Sequence, residues 1–209
     1  MNRAGLRLGI AALDLSLPVG GEERLASYLA LLTKWNRTYN LTAIRDPEQM
    51  VTHHLLDSLS VLPVLEKSAL AGRQDVALAD VGSGGGLPGL VLAIARPDWM
   101  ITSLEPVEKK AAFQRQAKIE LGLDNVSIRC ARVEDVTEGF TDVISRAFAS
   151  LADFIQLAGH LSPRLWAMKG VYPADEIAVL PIGWQVTTAH SLAVPGLAAQ
   201  RHLLQLERT

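Results

Sequence analysis

The chain has 209 residues, of which 49% are hydrophobic and 20% are charged, a balance typical of a globular protein with a hydrophobic core. No apolar run approaches the roughly 18 residues of a membrane helix, and the N-terminus lacks the pattern of a secretory signal, so we expect a cytoplasmic protein. The single cysteine, Cys130, excludes an internal disulfide and a cysteine-rich zinc site. The formal net charge of −2 argues against binding nucleic acid through bulk charge, but it leaves room for a local basic face.

The first 70 residues have the spacing of amphipathic helices. Apolar residues recur at three- and four-residue intervals in a first stripe: Leu25, Tyr28, Leu29, Leu32 and Trp35. The polar residues 36–40 are expected to fray this helix. Asp46 is placed to cap a second helix, with Pro47 in its first turn, and Pro63 should kink or end it. The same periodicity predicts the buried face of that helix: Met50, His54, Leu55, Leu59 and Leu62.

From about residue 75 short aliphatic segments alternate with helical ones, the pattern of a mostly parallel sheet covered on both faces. The predicted strands are "VALADV", "MITSLE", "VSIRC", "TDVISRAF" and "RLWAMKG", with helices from Pro88, over Val107–Leu121 and over Leu151–Leu161. In the tail only "PGLAA" separates "WQVTTAHSLAV" from "QRHLLQLER", so these two strands should pair antiparallel. The sequence therefore predicts an α/β fold: a seven-stranded sheet with a C-terminal antiparallel hairpin in residues 71–209, preceded by an N-terminal helical extension, residues 1–70.

Five glycines fall within "DVGSGGGLPG", residues 80–89, between a predicted strand and a predicted helix. Glycines there allow backbone amides to approach a ligand closely. A phosphate-binding P-loop is excluded because no lysine follows Gly89. The dinucleotide pattern G-x-G-x-x-G is satisfied by Gly84, Gly86 and Gly89, so that interpretation stays open on spacing.

A third pattern consists of Asp80, Gly82, Gly84 and Gly86, and it resembles the first motif of Rossmann-like S-adenosylmethionine-dependent methyltransferases. A carboxylate at the end of the strand suits a cationic amino-acid ligand better than it suits a pyrophosphate. About 20 residues further on, Glu105 can accept the ribose hydroxyls of an adenosine, a feature common to both cofactor classes.

Four segments in order, "KWNRTYNLTAIRDPEQMVTHHLLDSL", "DVGSGGGLPG", "VISRAFASL" and "AMKG", resemble the bacterial 16S ribosomal RNA guanine-N7 methyltransferases, the glucose-inhibited division protein B family. The resemblance spans roughly residues 24–207. It implies transfer of a methyl group from S-adenosylmethionine to N7 of one guanine, position 527 in the 530 loop of 16S RNA. It also implies cofactor contacts at these residues: Gly82, Leu87, Val133, Glu134 and Arg146.

The sequence is consistent with this chemistry, because guanine N7 has a free lone pair and needs no general base. The chain has no Asp/Asn-Pro-Pro-aromatic motif after the fourth strand, and Cys130 lacks the Pro-Cys context of a thiolate nucleophile and is interpreted as structural. Arg146 and Lys169 lie at the C-terminal ends of predicted strands, where they could position substrate. The candidate RNA contacts are Arg37, Arg45, Lys169 and Arg201, with His202 beside the last.

His53 and His54 are adjacent in the sequence and cannot face one metal ion from a helix, so we predict no metal. In some relatives an arginine precedes the histidine, which leaves the role of His53 open. Two other functions remain as alternatives: a methyltransferase acting on a small molecule, and a nucleotide-binding oxidoreductase or regulatory module. The sequence leaves open whether the substrate is naked RNA or an assembly particle.

Overall fold

A computed structural model describes residues 3–68, 72–73, 75–146, 148 and 150–209. Within these residues the helices are α1 (Arg3–Ala12), α2 (Gly21–Tyr39), α3 (Pro47–Met50), α4 (Asp57–Leu59), α5 (Leu62–Lys67), α6 (Gly89–Ala95), α7 (Glu108–Leu121), α8 (Leu151–Ala158) and α9 (Ala174–Ala178). A π-helical turn (Val51–Leu56) joins α3 to α4, and a 3₁₀ turn (Val133–Asp135) follows the third strand.

Seven strands form one sheet: β1 (Ala77–Val81), β2 (Met100–Leu104), β3 (Val126–Arg129), β4 (Asp142–Arg146), β5 (Arg164–Lys169), β6 (Trp184–Ser191) and β7 (His202–Arg208). The strand order is β3-β2-β1-β4-β5-β7-β6. The first five strands are parallel, whereas β7 pairs antiparallel with β5 and with β6. The predicted parallel sheet with a C-terminal antiparallel hairpin is confirmed.

Successive buried residues of a strand point to opposite faces of the sheet, and a separate hydrophobic cluster covers each face. Leu78 and Ile144 belong to the cluster that packs under α6 and α7, while Ala79 and Val143 belong to the cluster under α8. Leu25 of α2 is part of the first cluster, so the N-terminal helices share a core with the sheet. The proposed division into residues 1–70 and 71–209 stays a prediction, and its boundary falls outside the described residues, as do Ala147 and Ala149 of the quoted motifs.

The predicted start of the second helix is confirmed, because the Asp46 carboxylate accepts a hydrogen bond from the Glu48 amide, with Pro47 in the first turn. The five positions predicted for its buried face are buried. The predicted fraying of residues 36–40 is wrong: α2 continues to Tyr39. The Asn36 side chain is buried there and bonds the backbone of residues 42 and 44, which satisfies its polar atoms in the helical conformation.

Pro63 acts differently from the prediction. The helical run ends at Leu59, and Pro63 lies in the first turn of α5, where its missing amide hydrogen breaks no helical bond. Trp35, predicted on the buried stripe of α2, is half-buried and packs edge-on against Phe113 of α7. The N-terminal helices therefore lie against the helical layer that covers one face of the sheet.

Candidate functional site

The glycine loop joins β1 to α6, and its backbone conformation disfavours any residue that carries a Cβ atom. Gly82, Gly84 and Gly86 have φ of 67°, 58° and 84°, in the left-handed region. A Cβ on Gly86 would lie 2.5 Å from Cδ1 of Leu90, whereas nothing lies within 4 Å of a Cβ on Gly84. The loop thus needs glycine for its turn at all three positions and for close packing at Gly86.

Two buried carboxylates hold this loop from behind. One oxygen of Asp80 accepts a hydrogen bond from the Gly89 amide at 2.7 Å, and its other oxygen has no partner among the described residues. Burial raises the pKa of Asp80 to about 7, against the opposing effects of the Gly89 amide and Arg146. Glu105 accepts from the amides of Gly84 at 2.7 Å and Val107 at 2.9 Å. Both carboxylates therefore shape the loop, and their predicted contact with a cofactor stays a prediction.

A buried polar network completes the support of the loop. The amide of Gln114 on α7 donates to the Ser83 hydroxyl and to the Gly84 carbonyl, both at 2.8 Å, and Gln114 also bonds Ser103 of β2. The Tyr28 hydroxyl of α2 donates to the Gly85 carbonyl at 2.7 Å. Sequence reasoning missed these residues; the only sequence signal is a glutamine among apolar residues on the inner face of α7.

A cavity of about 680 Å³, the glycine-loop cavity, opens in front of this loop at the C-terminal ends of β1 and β2. Its walls include Gly82, Leu104, Val107, Val133, Glu134 and Phe148. Its volume lies within the range of cofactor-binding clefts. A Cβ on Gly82 would point toward the Phe148 ring at 3.8 Å, so the glycine keeps this wall open. The predicted residues Gly82, Val133 and Glu134 lie on the cavity, whereas Leu87 is buried and does not line it.

Cys130 also lines the glycine-loop cavity and is exposed, so its interpretation as a purely structural residue is not supported by burial. The neighbouring Glu108 carboxylate raises the pKa of the Cys130 thiol, with a further contribution from desolvation. The thiol stays protonated near neutral pH, as expected for a residue that is not a nucleophile.

A second cavity of about 400 Å³, the arginine cavity, lies at the C-terminal ends of β4 and β5 and the start of β7. Its polar walls include His53, His54, Asp57, Arg146, Lys169, Arg201 and His202. The Asp57 carboxylate accepts from Arg146 at 3.0 Å and from Arg201 at 2.8 Å, and Lys169 pairs with Glu176 at 2.8 Å. Arg146 and Lys169 are the last residues of β4 and β5, as predicted, and Arg201 lines the same cavity. The predicted contact of Arg146 with the cofactor, and those of Lys169 and Arg201 with RNA, stay predictions. Sequence reasoning missed Asp57.

The remaining candidates lie outside both cavities. Arg37, in the last turn of α2, lines a separate surface depression with Pro47. Arg45 is exposed and donates to the side chain of Asn40. Contact of either arginine with RNA stays a prediction.

The two neighbouring histidines both line the arginine cavity, but they differ in burial. His54 is buried, and its Nε2 lies 2.9 Å from the Thr42 hydroxyl. Burial lowers the pKa of His54 to about 4, and the positive charge of Arg146 adds to the effect. Across the residues that the structure describes, no cluster of three potential metal ligands occurs, and no helix is long and apolar enough to cross a membrane.

The two cavities lie at the C-terminal ends of strands on either side of the point between β1 and β4 where the strand order reverses. Asp80 pairs in register with Ile144, and the Ser145 hydroxyl donates to the Val81 carbonyl. Arg146, the last residue of β4, is therefore level with the start of the glycine loop. Ligands of open α/β sheets bind at such a switch point. A donor in one cavity and an acceptor in the other would therefore meet at this edge of the sheet.

The fold is that of the Rossmann-like methyltransferases. The magnesium protoporphyrin IX methyltransferase of Synechocystis, solved with bound S-adenosylmethionine, superimposes with a TM-score of 0.60 over 87% of this chain and 97% of that one, at 13% identity. Residues 21–204 match the family profile described as rRNA small subunit methyltransferase G. The curated proteins of that name from Azoarcus sp. and Aromatoleum aromaticum are 56% and 55% identical, and their alignments cover 96% and 100% of this chain and 93% and 100% of the relatives.

The chain belongs to the rRNA small subunit methyltransferase G family, also known as GidB. The predicted family and fold class are confirmed.

Proposed function

We propose that this protein transfers a methyl group from S-adenosylmethionine to N7 of the guanine at position 527, in the 530 loop of 16S ribosomal RNA. The observation that carries the proposal is the pair of cavities on either side of the switch point of the sheet. One is built on a glycine loop and the other carries Arg146, Lys169 and Arg201. Membership of the family supports the same activity.

The residues around the glycine-loop cavity fit an adenosine cofactor. Gly82, Val133 and Glu134 lie on its walls and are proposed to contact the cofactor directly. Gly84, Gly86, Leu87, Asp80 and Glu105 set the course of the loop behind it. When bound, the cofactor supplies a methyl carbon activated by a positively charged sulfur.

The chain's part in the reaction is to position the acceptor, because in-line attack requires alignment more than proton transfer. Guanine N7 carries a lone pair and no proton, so no residue need act as general base. His54 agrees with this, because a pKa lowered to about 4 by burial makes its imidazole a weak base. Arg146 and Lys169 are the proposed positioning residues, and Arg201, Arg37 and Arg45 are proposed phosphate contacts.

The proposed substrate is 16S RNA, either free or in a small-subunit assembly particle, and the reaction is placed in the cytoplasm, where such particles form. With a formal net charge of −2, the protein must hold RNA through local positive charge rather than through its whole surface. We therefore expect RNA binding that weakens steeply as salt increases.

A methyl-transfer assay with labelled S-adenosylmethionine tests the proposal. Unmodified small subunits and protein-free 16S RNA are offered in parallel, and the product is mapped by N7-specific strand scission. A single scission in the 530 loop is expected. Cofactor binding without incorporation into either RNA would overturn the proposal and favour a small-molecule acceptor.

A further inference from the structure

Asp57 is a buried carboxylate that joins two arginines from distant parts of the chain. It begins α4, directly after the π-helical turn, and only 3% of its surface is exposed. Its Oδ2 accepts from Nη1 of Arg146 at 3.0 Å and its Oδ1 accepts from Nε of Arg201 at 2.8 Å. Each carboxylate oxygen therefore holds one guanidinium.

Backbone carbonyls fix the two guanidiniums further. Nη1 of Arg146 also donates to the His53 carbonyl at 3.0 Å, and Nη1 of Arg201 donates to the Gln200 carbonyl at 2.8 Å. A guanidinium has five N–H donors in a rigid plane. Nε and Nη2 of Arg146 and Nη2 of Arg201 have no partner in the described part of the chain. The two side chains are 21% and 25% exposed, and both line the arginine cavity.

The charged groups of this cavity leave the two arginines with one net positive charge. Lys169 is neutralised by Glu176, whose two oxygens lie 3.0 and 2.8 Å from its ammonium. Asp57 offsets only one of the charges of Arg146 and Arg201. The cavity therefore presents one net positive charge and free planar donors, which suit the oxygens of a phosphate.

Asp142 offers a comparison that separates this arrangement from an ordinary buried ion pair. It is also buried and lies 3.5 Å from Arg164, but at the opposite end of β4. There it also accepts a hydrogen bond from the Trp166 indole at 2.8 Å. Asp142 is thus, like Asp57, a buried carboxylate paired with an arginine, but it does not line the arginine cavity.

We propose that Asp57 is a positioning residue that holds Arg146 and Arg201 side by side, so that their free N–H groups bind a backbone phosphate of the RNA next to the guanine being methylated. This inference rests on the proposed function. Asp57 itself does not contact the RNA. It acts by fixing two long side chains that would otherwise lose conformational freedom on binding.

The test compares Asp57→Asn with Asp142→Asn in the full-length protein, using steady-state methyl transfer to unmodified small subunits at several salt concentrations. Asp57→Asn should raise KM for the RNA at least about tenfold, because both guanidiniums lose their fixed orientation. The dependence of log KM on log salt should become shallower by about 0.7 for each phosphate that the variant no longer binds. Affinity for S-adenosylhomocysteine should change less than about twofold, since Asp57 lies on the arginine cavity.

Asp142→Asn should lower the melting temperature and leave KM and its salt dependence unchanged. Asp57→Glu, which restores the carboxylate, should recover part of the affinity for RNA. In an Arg201→Ala background, Asp57→Asn should raise KM by less than it does alone, because one of its two partners is already absent.

The inference is overturned if Asp57→Asn, assayed well below its melting temperature, keeps the wild-type KM and salt dependence. It is also overturned if the variant loses affinity for S-adenosylhomocysteine while KM for the RNA is unchanged. Failure of the proposed function is distinguishable from both, because the wild-type protein itself would then transfer no methyl group to RNA.

Discussion

The two cavities at the C-terminal edge of the sheet are built by different means. The ends of the adjacent strands β1, β2 and β3, with the residues that follow them, form most of the glycine-loop cavity. Backbone amides that donate to Asp80 and Glu105 shape its loop. The arginine cavity is assembled from the N-terminal helices, β4, β5 and the start of β7, and charged side chains tie these segments together.

The difference follows from what each cavity is proposed to bind. A small cofactor is matched by a cavity whose loop is held in one conformation by hydrogen bonds to its backbone amides. An RNA strand is held through its phosphates, which require cations that can be fixed in place while they stay open to solvent. Four predictions test this division, from the largest expected effect to the smallest.

The largest effect concerns the buried acid behind the glycine loop. The pKa of Asp80 is raised from 3.8 to about 7, so between these pH values Asp80 is protonated in the folded state and ionised in the unfolded state. The contribution of Asp80 to the free energy of unfolding is fully present below pH 3.8 and is lost as pH rises through 7. The loss is on the order of 4 kcal/mol over this range.

Asparagine at this position mimics the protonated acid and can still accept from the Gly89 amide. Relative to wild type, Asp80→Asn should therefore gain stability as pH rises from 4.5 to 8, measured as the free energy of unfolding in urea. A difference that is constant with pH would contradict the assignment.

Near the arginine cavity, the buried His54 should make the free energy of unfolding depend on pH in the opposite direction. The pKa of His54 is lowered from 6.5 to about 4 by burial and then by Arg146, with Asp57 acting against them. The neutral form stabilises the fold above pH 6.5, and this contribution is lost as pH falls through 4, on the order of 3 kcal/mol.

Glutamine can keep the bond to Thr42 without titrating, so His54→Gln should lose less stability than wild type between pH 7 and 4.5. The urea titrations used for Asp80→Asn measure this directly. Equal acid sensitivity in the two proteins would show that His54 is not the group responsible.

Third, Gly86→Ala should damage the glycine-loop cavity and spare the arginine cavity. Its φ of 84° and the 2.5 Å approach to Leu90 force the loop to shift, so affinity for S-adenosylhomocysteine should fall about tenfold, or about 1.4 kcal/mol. Calorimetry measures the affinity, and binding of a 530-loop RNA fragment should stay unchanged.

Gly122→Ala is the matched control, because Gly122 caps α7 with φ of 62° and has open space around it. It should lose about 1 kcal/mol of stability and no cofactor affinity. If both variants bound S-adenosylhomocysteine like wild type, the loop geometry would not be what selects the cofactor.

The smallest effect concerns the hydrogen bond that ties α2 to the glycine loop. Tyr28→Phe removes the hydrogen bond to the Gly85 carbonyl and should lower the free energy of unfolding by about 1 kcal/mol. Tyr39→Phe, on the same helix, removes a hydroxyl from a side chain that is 41% exposed and should change little. Equal losses in the two variants would argue against the tie.

The sequence was informative where the structure depends on neighbouring residues. The glycine loop and the Asp46 cap each involve only a few consecutive residues, so the spacing of those residues was enough to predict their conformation. The alternation of strands and helices predicted the sheet and its terminal hairpin, because strand burial and link length are local properties.

Features that depend on interactions between distant residues were missed. Asp57 lies 89 residues from Arg146 and 144 from Arg201, and no local pattern joins them. Asn36 looked like a helix breaker because asparagine favours turns. Its amide instead finds partners at residues 42 and 44, which only the folded chain brings into reach.

The division of labour between the cavities is tested most directly by hydrogen–deuterium exchange on the full-length protein, with S-adenosylhomocysteine and with a 16S RNA fragment carrying the 530 loop, added separately. S-adenosylhomocysteine should protect amides of residues 82–89 and 131–136. The RNA should protect residues 53–57, 168–170 and 200–202. Protection of the arginine cavity by S-adenosylhomocysteine, or RNA protection confined to surfaces away from it, would contradict the account.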